Sequence, residues 1–353
     1  MSWEENVRKV IPYVPGEQPK RKDIIKLNTN ENPYPPAPGV AKVLAEIKPE
    51  EYSLYPDPDA AVLRQALADY HGLKKEQVFV GVGSDDVLAM AFLTFFNSKK
   101  PILFPDITYS FYDVWADLYR IPYETRALKE DFSMNPADYA GENGGVIFPN
   151  PNAPTGVLES IATVETILKA NPDVVVIVDE AYIDFGGESA LPLIETYENL
   201  LVVRTFSKSR SMAGMRIGYA MGSERLIAYL NDAKFSFNSY TMNQPSLRAG
   251  VASVADDAYF RQKLEQVIAT REWTKEQLTK LGFLFADSKS NFIFAAHESI
   301  PAQELFEALR ADGIYVRYFK KPRIDNYLRI SIGTQEAMEK LIEFLEQYIK
   351  NRE

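Results

Sequence analysis

Lys208 is the residue whose neighbours in the sequence most directly indicate chemistry. It follows the apolar stretch 199–204, which predicts a buried strand, and it lies in the hydroxyl-rich turn 205–211. A lysine there can act as an amine nucleophile that forms a Schiff base with a carbonyl. Ser207 and Arg216, which flank it, can hold a phosphate. An aldehyde and a phosphate on one small molecule indicate pyridoxal phosphate, although a lone lysine would also suit a solvated basic turn.

A buried carboxylate is predicted where the apolar run 174–178 ends. Asp179 follows five β-branched residues, so its charge needs a cationic or hydrogen-bonded partner. A protonated pyridine nitrogen would serve, and such a pair strengthens this cofactor as an electron sink. Tyr182, three residues on, would hydrogen-bond the ring hydroxyl. The alternative for Asp179 is a helix N-cap.

Other candidate residues also follow predicted strands, where open α/β sheets bind their ligands. The segment 83–86 leads from a strand into a helix, and free N–H groups there favour a phosphate. Tyr109 follows the strand 102–104 and would stack on a flat ring. The turn 149–156, with its prolines and asparagines, would present an amide to a ring oxygen. A capped helix start, core packing and a plain turn are the respective alternatives.

Two arginines near the C-terminus interrupt apolar strands. Arg329 lies within 327–333, and Arg317 directly follows Ile314–Val316. A buried guanidinium needs a carboxylate or phosphate, which it can bind with two parallel hydrogen bonds. Internal salt bridges would satisfy them equally well.

The elements that must position these residues predict an α/β fold. Short apolar strands alternate with helices from about residue 78 to 221, which favours a mostly parallel sheet buried on both faces; the orientation of the last strand stays open. A long mixed-charge helix over 257–281 then precedes a smaller α+β unit. The ten prolines of the first 60 residues predict an extended arm. We therefore expect a large domain over 30–245, with 1–29 and 246–353 forming the arm and the smaller domain.

Composition excludes several other classes of function. Asp and Glu number 49 against 39 Lys and Arg, which argues against non-specific nucleic-acid binding. The chain has no cysteine, and His71 and His297 have no histidine partner at metal-binding spacing, so no metal is expected. The N-terminus lacks the blocks of a signal peptide, and the apolar run 87–96 is too short to span a bilayer. A cytoplasmic enzyme is expected.

Together these segments resemble the fold-type I, aspartate-aminotransferase-like pyridoxal-phosphate enzymes over nearly the whole chain. Within them the chain looks like the histidinol-phosphate aminotransferases. The segments that carry the resemblance are Leu27–Pro33, Tyr55–Asp57, Gly83–Asp86, Asp179–Phe185, Thr205–Lys208 and Leu328–Thr334. The resemblance implies a seven-stranded, mostly parallel sheet sandwiched by helices, a smaller α+β C-terminal domain and a homodimer. It also implies amino transfer between glutamate and imidazole-acetol phosphate, giving 2-oxoglutarate and L-histidinol phosphate.

The resemblance assigns the contacts to the cofactor ring. Lys208 would hold the cofactor as a Schiff base and move the proton, Asp179 would pair with the pyridine nitrogen, and Tyr182 would bond the ring hydroxyl. Tyr109 would stack on the ring.

The resemblance also assigns the phosphate contacts. The backbone of Ser84 and Asp85, with Ser207 and Arg216, would hold the phosphate. Tyr55 would reach the phosphate of the neighbouring subunit, so the active site would belong to a dimer.

For the substrate, the resemblance implies a further set of contacts. Arg329 would bind the α-carboxylate, and Arg317 and Tyr13 the phosphate or side chain. Asn30 and Asn32 would lie near the substrate.

One position departs from the family pattern. An asparagine that donates to the ring oxygen usually stands immediately before Pro-Thr-Gly, and here that residue is Ala153. We expect Asn152 to replace it, provided that the loop adjusts.

Three other functions are compatible with this framework. An aromatic amino-acid aminotransferase would differ in its pocket, and a decarboxylase acting on an amino acid such as threonine phosphate would release carbon dioxide. A non-catalytic regulatory protein would need a DNA-binding segment, for which this acidic chain offers no basic patch.

Overall fold

The computed structural model describes residues 2–19 and 23–352; residues 1, 20–22 and 353, which belong to the predicted arm and C-terminal unit, lie outside the described residues. The strands of the described part are β1 (Ile25–Lys26), β2 (Val78–Gly81), β3 (Ile102–Pro105), β4 (Tyr123–Arg126), β5 (Val146–Pro149), β6 (Val176–Asp179), β7 (Leu200–Thr205), β8 (Gly218–Gly222), β9 (Phe283–Phe285), β10 (Phe292–His297), β11 (Ile314–Tyr315), β12 (Arg317–Tyr318) and β13 (Leu328–Ser331). Its α-helices are α1 (Pro38–Ala45), α2 (Ala61–His71), α3 (Ser84–Phe95), α4 (Tyr112–Tyr119), α5 (Ile161–Ala170), α6 (Glu224–Phe237), α7 (Gln244–Ala255), α8 (Asp257–Lys280), α9 (Ala302–Ala311) and α10 (Gln335–Lys350).

The largest sheet has seven strands in the order β2-β8-β7-β6-β5-β3-β4. Strand β8 is antiparallel to β2 and to β7. The other neighbouring pairs are parallel. The predicted mostly parallel seven-stranded sheet is therefore confirmed, and the strand whose orientation stayed open is the antiparallel one. As a result, β2, β3, β5, β6 and β7 all end at the same edge of the sheet.

Both faces of this sheet are buried, which explains why its strands are continuously apolar. Along β6, Val176 and Val178 pack with α2, α5 and α7, whereas Ile177 packs on the opposite face with α3, α4 and α6. Successive side chains of a strand point to opposite faces, so a sheet covered on both sides needs apolar residues at every position. Only the edge strand β4 has exposed positions throughout most of its length.

A second, antiparallel sheet has the order β12-β13-β10-β9. Its core includes residues of α8, α9 and α10. Strand β1, which lies within the segment 1–29, pairs in parallel with β11, so this stretch of the predicted arm joins this part of the protein. The long helix predicted over 257–281 is α8. The domain limits at 30–245 stay a prediction.

The predicted extended arm is wrong over one stretch, because α1 is helical. Pro38 occupies its first turn and Val40 is buried. A proline at the first helical position loses no hydrogen bond, since the N–H it lacks would have no partner within the helix. A proline-rich segment is therefore compatible with a helix whose first residue is a proline. Among the described helices, none has both the length and the apolar character needed to cross a bilayer.

Candidate active site

The predicted site residues from separate parts of the chain lie along the edge where the parallel strands end. Moving through the strands in chain order, they are Ser84 and Asp85 after β2, Tyr109 after β3, Asn152 after β5, Asp179 at the end of β6 with Tyr182 beyond it, Ser207 and Lys208 after β7, and Arg216 before the antiparallel β8. Open α/β sheets bind ligands at this edge. The sheet topology thus assembles one candidate site from five loops.

Hydrogen bonds to Lys208 and Ser209 hold the lysine loop in place. Asn32 Nδ2 donates to the carbonyl oxygens of Lys208 and Ser209, each at 3.1 Å. The Ser209 hydroxyl donates to Asp184 Oδ2 at 2.5 Å. Lys208 Nζ donates to the Thr29 carbonyl at 3.3 Å, so the amine faces the start of the chain segment that carries Asn32. Asn32, expected near the substrate, uses its amide hydrogens on the lysine loop.

Asp179 is a buried carboxylate whose described hydrogen bonds come from neutral donors. Its Oδ2 accepts from the Tyr112 hydroxyl at 3.1 Å and its Oδ1 from the Ala181 amide at 3.2 Å. Burial raises the pKa of Asp179 to about 7 despite both bonds. A cation beside it would restore the ionised form. The protonated ring nitrogen of pyridoxal phosphate fits this requirement, and Tyr112 is a partner that no sequence pattern revealed.

Tyr182 is oriented by Asn30. The Asn30 Nδ2 donates to the Tyr182 hydroxyl oxygen at 3.0 Å, while its Oδ1 accepts from the Ser331 hydroxyl at 2.8 Å. Because the phenol accepts here, its own proton is available to donate to a ring oxygen. Asn30 has a φ of 56°, a left-handed conformation that asparagine tolerates better than most residues. Asn30 therefore positions Tyr182.

An anion cradle lies between the start of α3 and Arg216. The first N–H groups of a helix, here those of Ser84 and Asp85, have no partner within the helix and face the site. A side chain at Gly83, where φ is 88°, would collide with the Arg216 guanidinium. One at Gly218 would overlap the backbone of Gly83 and Ser84. The two glycines let the helix start and Arg216 approach each other closely, whereas binding of one phosphate by both stays a prediction.

The side chain of Asp85 links the ring side and the phosphate side of this cradle. The Tyr109 hydroxyl donates to Asp85 Oδ1 at 2.7 Å, and Arg216 Nη2 lies 3.5 Å from Asp85 Oδ2. Burial, followed by the nearby Asp85 charge, raises the pKa of Tyr109 well above its ordinary value. Ser207 is buried beside them and accepts a hydrogen bond from the Thr205 hydroxyl at 3.0 Å. Sequence reasoning gave Asp85 a backbone role alone.

Asn152 donates to its own loop and to the loop after β3. Its Nδ2 gives hydrogen bonds to the Ile107 carbonyl and the Thr155 hydroxyl, both at 3.0 Å, and its Oδ1 is buried without a partner among the described residues. Flipping the amide would set Oδ1 against the Ile107 carbonyl, so the orientation is fixed. Donation to the ring oxygen in place of Ala153 stays a prediction, and it would require one of these bonds to be released.

Arg317 and Arg329 face each other across the β12–β13 pair. Like charges at directly opposite positions destabilise a sheet unless an anion lies between them. Arg329 Nη2 donates to the Asn28 carbonyl at 3.0 Å, while its Nε is buried and has no partner in the part of the chain that the structure describes. Burial, followed by the charge of Arg317, lowers the pKa of Arg329. Two such guanidinium groups can bind anionic groups of a ligand, and that role stays a prediction.

Aromatic rings flank this arginine pair. The guanidinium carbons of Arg317 and Arg329 each lie 5.5 Å from the centre of the Phe319 ring. Tyr13 stacks on Phe111 with ring centres 4.2 Å apart, which holds the N-terminal segment against α4. Tyr13 contributes to the electrostatic surroundings of Arg329. The contact of Tyr13, Arg317 and Arg329 with substrate stays a prediction.

A buried ion pair stabilises the segments next to Asp179 and Lys208. Arg204 on β7 lies 2.9 Å from the fully buried carboxylate of Glu180 and 3.5 Å from Asp184 Oδ1. Asp184 in turn accepts from Ser209, next to Lys208. The pair therefore connects the segment that follows Asp179 with the lysine loop. Both acids belong to a motif that sequence analysis singled out without assigning them a role.

Tyr55 lies away from the site of its own chain. Its side chain is 82% exposed and its ring centre is 4.6 Å from that of Tyr240. A role in the neighbouring subunit stays a prediction.

A parallel α/β sheet that gathers a lysine, a buried aspartate, an anion cradle and an arginine pair at one edge defines a pyridoxal-phosphate-dependent aminotransferase. Residues 22–345 match the family described as Aminotransferase class I and II. The chain belongs to that family, and within it to the histidinol-phosphate aminotransferases, as the following relatives show.

The curated relatives are similar over the full length of the chain. The histidinol-phosphate aminotransferase of Lactococcus lactis subsp. cremoris is 52% identical over 353 residues, which is 100% of this chain and 99% of that protein. The enzyme of the same name from Clostridium botulinum is 50% identical over 347 residues, 98% of each.

Solved structures share the fold at lower identity. The histidinol-phosphate aminotransferase of Clostridium acetobutylicum superposes with a TM-score of 0.86 at 23% identity, covering 93% of this chain and 100% of that one. The enzyme of the same name from Sinorhizobium meliloti, in complex with pyridoxal-5′-phosphate, gives a TM-score of 0.80 at 22% identity, covering 93% of this chain and 92% of that one.

Proposed function

We propose that this protein is a histidinol-phosphate aminotransferase that exchanges an amino group between L-histidinol phosphate and 2-oxoglutarate, with pyridoxal phosphate as cofactor. The full-length identity of 52% to the Lactococcus lactis enzyme supports this substrate pair. The structural observation that most supports this function is the pair Arg317 and Arg329, which face each other near the loop that carries Lys208. Both substrates carry anionic groups, which such a pair would bind.

Pyridoxal phosphate supplies an electron sink when a bond at the substrate Cα breaks. We propose that Lys208 Nζ bonds covalently to its aldehyde carbon and that Asp179 pairs with its ring nitrogen. Tyr182, whose oxygen already accepts from Asn30, has its proton free for the ring oxygen. The start of α3 and Arg216 would hold the phosphate.

Proton transfer falls to the released amine of Lys208. Once the substrate amine has displaced the lysine, Nζ would accept the proton from the substrate Cα and donate it again within the site, and water would release the oxo product. Asn32 and Ser209 hold the lysine backbone through the transfer, because their bonds do not involve the amine.

A homodimer with a shared site forms part of the proposal. The Tyr240 ring lies 4.6 Å from that of Tyr55, and the large side chains of Tyr52, Leu54 and Phe237, close to one or the other in the sequence, are exposed as well. Exposed apolar side chains grouped in this way are typical of an interaction site. Tyr55 of one subunit would then reach the phosphate bound in the other.

Borohydride reduction of the loaded enzyme tests the cofactor attachment. Peptide mass spectrometry should find the reduced adduct on Lys208 and no adduct in Lys208→Ala. The exposed Lys280→Ala is the matched control and should label like the wild type. An adduct on another lysine, or none after reconstitution, would overturn the attachment.

Glutamate formation tests the substrate pair. With 2-oxoglutarate present, L-histidinol phosphate should be turned over in preference to L-phenylalanine. The aromatic ring cluster around Arg329 would suit phenylalanine, so a reversed preference would establish the aromatic aminotransferase instead. Release of carbon dioxide from threonine phosphate would establish the decarboxylase.

A further inference from the structure

The loop 319–327 joins β12 to β13 and therefore joins Arg317 to Arg329. It does not remain on its own sheet. Ile324 is 3% exposed and belongs to the core cluster of the seven-stranded sheet, together with Leu128. The loop between the two substrate arginines is thus packed against the part of the protein that holds the cofactor residues.

Arg323 makes the polar part of this contact. Its Nη1 donates to Asp106 Oδ2 at 2.7 Å, and its Nη2 donates to the carbonyl oxygens of Leu128 at 2.7 Å and Lys129 at 3.1 Å. Asp106 Oδ1 accepts from the Leu128 amide at 2.9 Å, so the acceptors are themselves fixed relative to one another. A guanidinium fork can hold several acceptors in one geometry, which an ammonium cannot.

One of these acceptors, Asp106, lies in the loop that carries Tyr109. Asp106 is the first residue after β3, and the next residue, Ile107, accepts the hydrogen bond from Asn152 through its carbonyl. Tyr109 then reaches Asp85 at the start of α3. Any displacement of Asp106 is therefore passed along three residues to the predicted ring-stacking side chain.

Arg317 is the arginine that needs an anchor outside its own strand. Strand β12 has two residues and pairs with β13 alone. Arg317 and Arg329 also repel each other across that pair before an anion binds. A short strand that bears such a repulsion is held more firmly when the connecting loop is fixed elsewhere.

We propose that Arg323 is a positioning residue that fixes the substrate arginines Arg317 and Arg329 relative to the loop of Tyr109. It touches neither ligand; it sets the distance between the anion-binding strands and the cofactor ring. The inference rests on the proposed function for its choice of substrates.

Arg323→Gly is the decisive variant. Arg323 has a φ of 69°, a left-handed conformation that glycine adopts freely, so this change removes the guanidinium without straining the backbone. Asp106→Asn removes the charge of its partner but keeps its shape, and the double variant tests whether both act through one contact. Lys321→Ala, an exposed residue of the same loop, is the control for the loss of one positive charge.

Two readouts are needed on the loaded enzyme. The KM for 2-oxoglutarate and for L-histidinol phosphate should rise about fivefold to tenfold in Arg323→Gly and in Asp106→Asn, with kcat within about twofold of the wild type. Calorimetric titration with 2-oxoglutarate, independent of turnover, should show a similar rise in Kd. The double variant should be no worse than either single one, and Lys321→Ala should match the wild type.

Specific results would overturn the inference. An Arg323→Gly enzyme with the KM and Kd of Lys321→Ala would show that the contact positions nothing. Additive effects in the double variant, or a fall in kcat with KM unchanged, would show that the residues act separately or on another step. If the wild type binds 2-oxoglutarate but does not turn over L-histidinol phosphate, the proposed function fails, and the calorimetric comparison still decides the role of Arg323.

Discussion

Replacing Asp179 by Asn should make the stability of the cofactor-free protein less dependent on pH. Asp179 is buried at the end of β6, and its partners Tyr112 and Ala181 are neutral donors. Burial raises its pKa from 3.8 to about 7 in the folded protein. Between these values the folded state holds a proton that the unfolded state releases, so the free energy of unfolding falls as the pH rises. The contribution is fully present below about pH 4 and is lost as the pH passes about 7.

The size of the effect follows from the pKa difference. A rise from 3.8 to about 7 is about three units, and each unit corresponds to about 1.4 kcal/mol, so the upper limit is about 4 kcal/mol. Asparagine has nearly the same shape and does not ionise. The free energy of unfolding of Asp179→Asn minus that of the wild type should therefore increase by about 3 to 4 kcal/mol between pH 4 and pH 8.

Urea unfolding of both proteins without cofactor, followed by circular dichroism at one protein concentration, measures this difference. The concentration is fixed because dimerisation would shift the apparent stability. Groups that titrate equally in both proteins cancel in the subtraction. Asp173→Asn, at an exposed site, is the control and should give a flat difference. Loading the wild type with pyridoxal phosphate should flatten its own pH dependence, because a cation would then face Asp179.

A difference between Asp179→Asn and the wild type that stays constant from pH 4 to pH 8 would refute this reasoning. It would mean that the folded protein already stabilises the ionised carboxylate, and the argument for a cationic ring nitrogen at this position would lose its physical basis.

Three further changes have defined outcomes. Arg329→Met should raise the KM for 2-oxoglutarate about 100-fold through loss of a charge-assisted pair. Thermal unfolding should show no loss of stability, because Arg317 loses a like-charged neighbour. A KM within a factor of about two of the wild type would contradict the role of Arg329 in binding the carboxylate. Tyr109→Phe keeps the ring but loses the bond to Asp85, so absorbance titration should show pyridoxal phosphate bound about fivefold more weakly; an unchanged affinity would count against that bond. Arg204→Met should lower the free energy of unfolding in urea by about 3 to 5 kcal/mol, because the carboxylate of Glu180 stays buried without its partner. Adding Glu180→Met should restore most of this stability. If it does not, the loss comes from packing rather than from the unpaired charge.

Much of the site could be predicted because its signals are local. Lys208 and Asp179 each follow an apolar run directly, and a residue at a strand end reaches the ligand-binding edge of any parallel sheet. The same holds for the segment that starts α3. The helix α1 could not be recognised in the same way, because proline density favours extended chain and only the N1 position of Pro38 makes it compatible with a helix.

The parts that escaped prediction depend on contacts between distant residues. Asn152 has the chemistry of a ring donor, but the carbonyl of Ile107, 45 residues away, takes one of its hydrogens. Asn32 has the chemistry of a substrate ligand, but it braces the lysine loop 176 residues away. Side-chain type states what a residue can donate or accept; only the packed chain decides what it meets.

The sequence by itself determined the kind of protein: apolar strands alternating with helices specify a sheet buried on both faces, and the lysine, aspartate and arginines state the chemistry. The tertiary structure decided the arrangement. It set Arg317 opposite Arg329 through the register of two strands, and it brought Arg323 to Asp106 across 217 residues. Both contacts depend on strand order and loop packing, which are collective properties of the whole chain and leave no local pattern in the sequence.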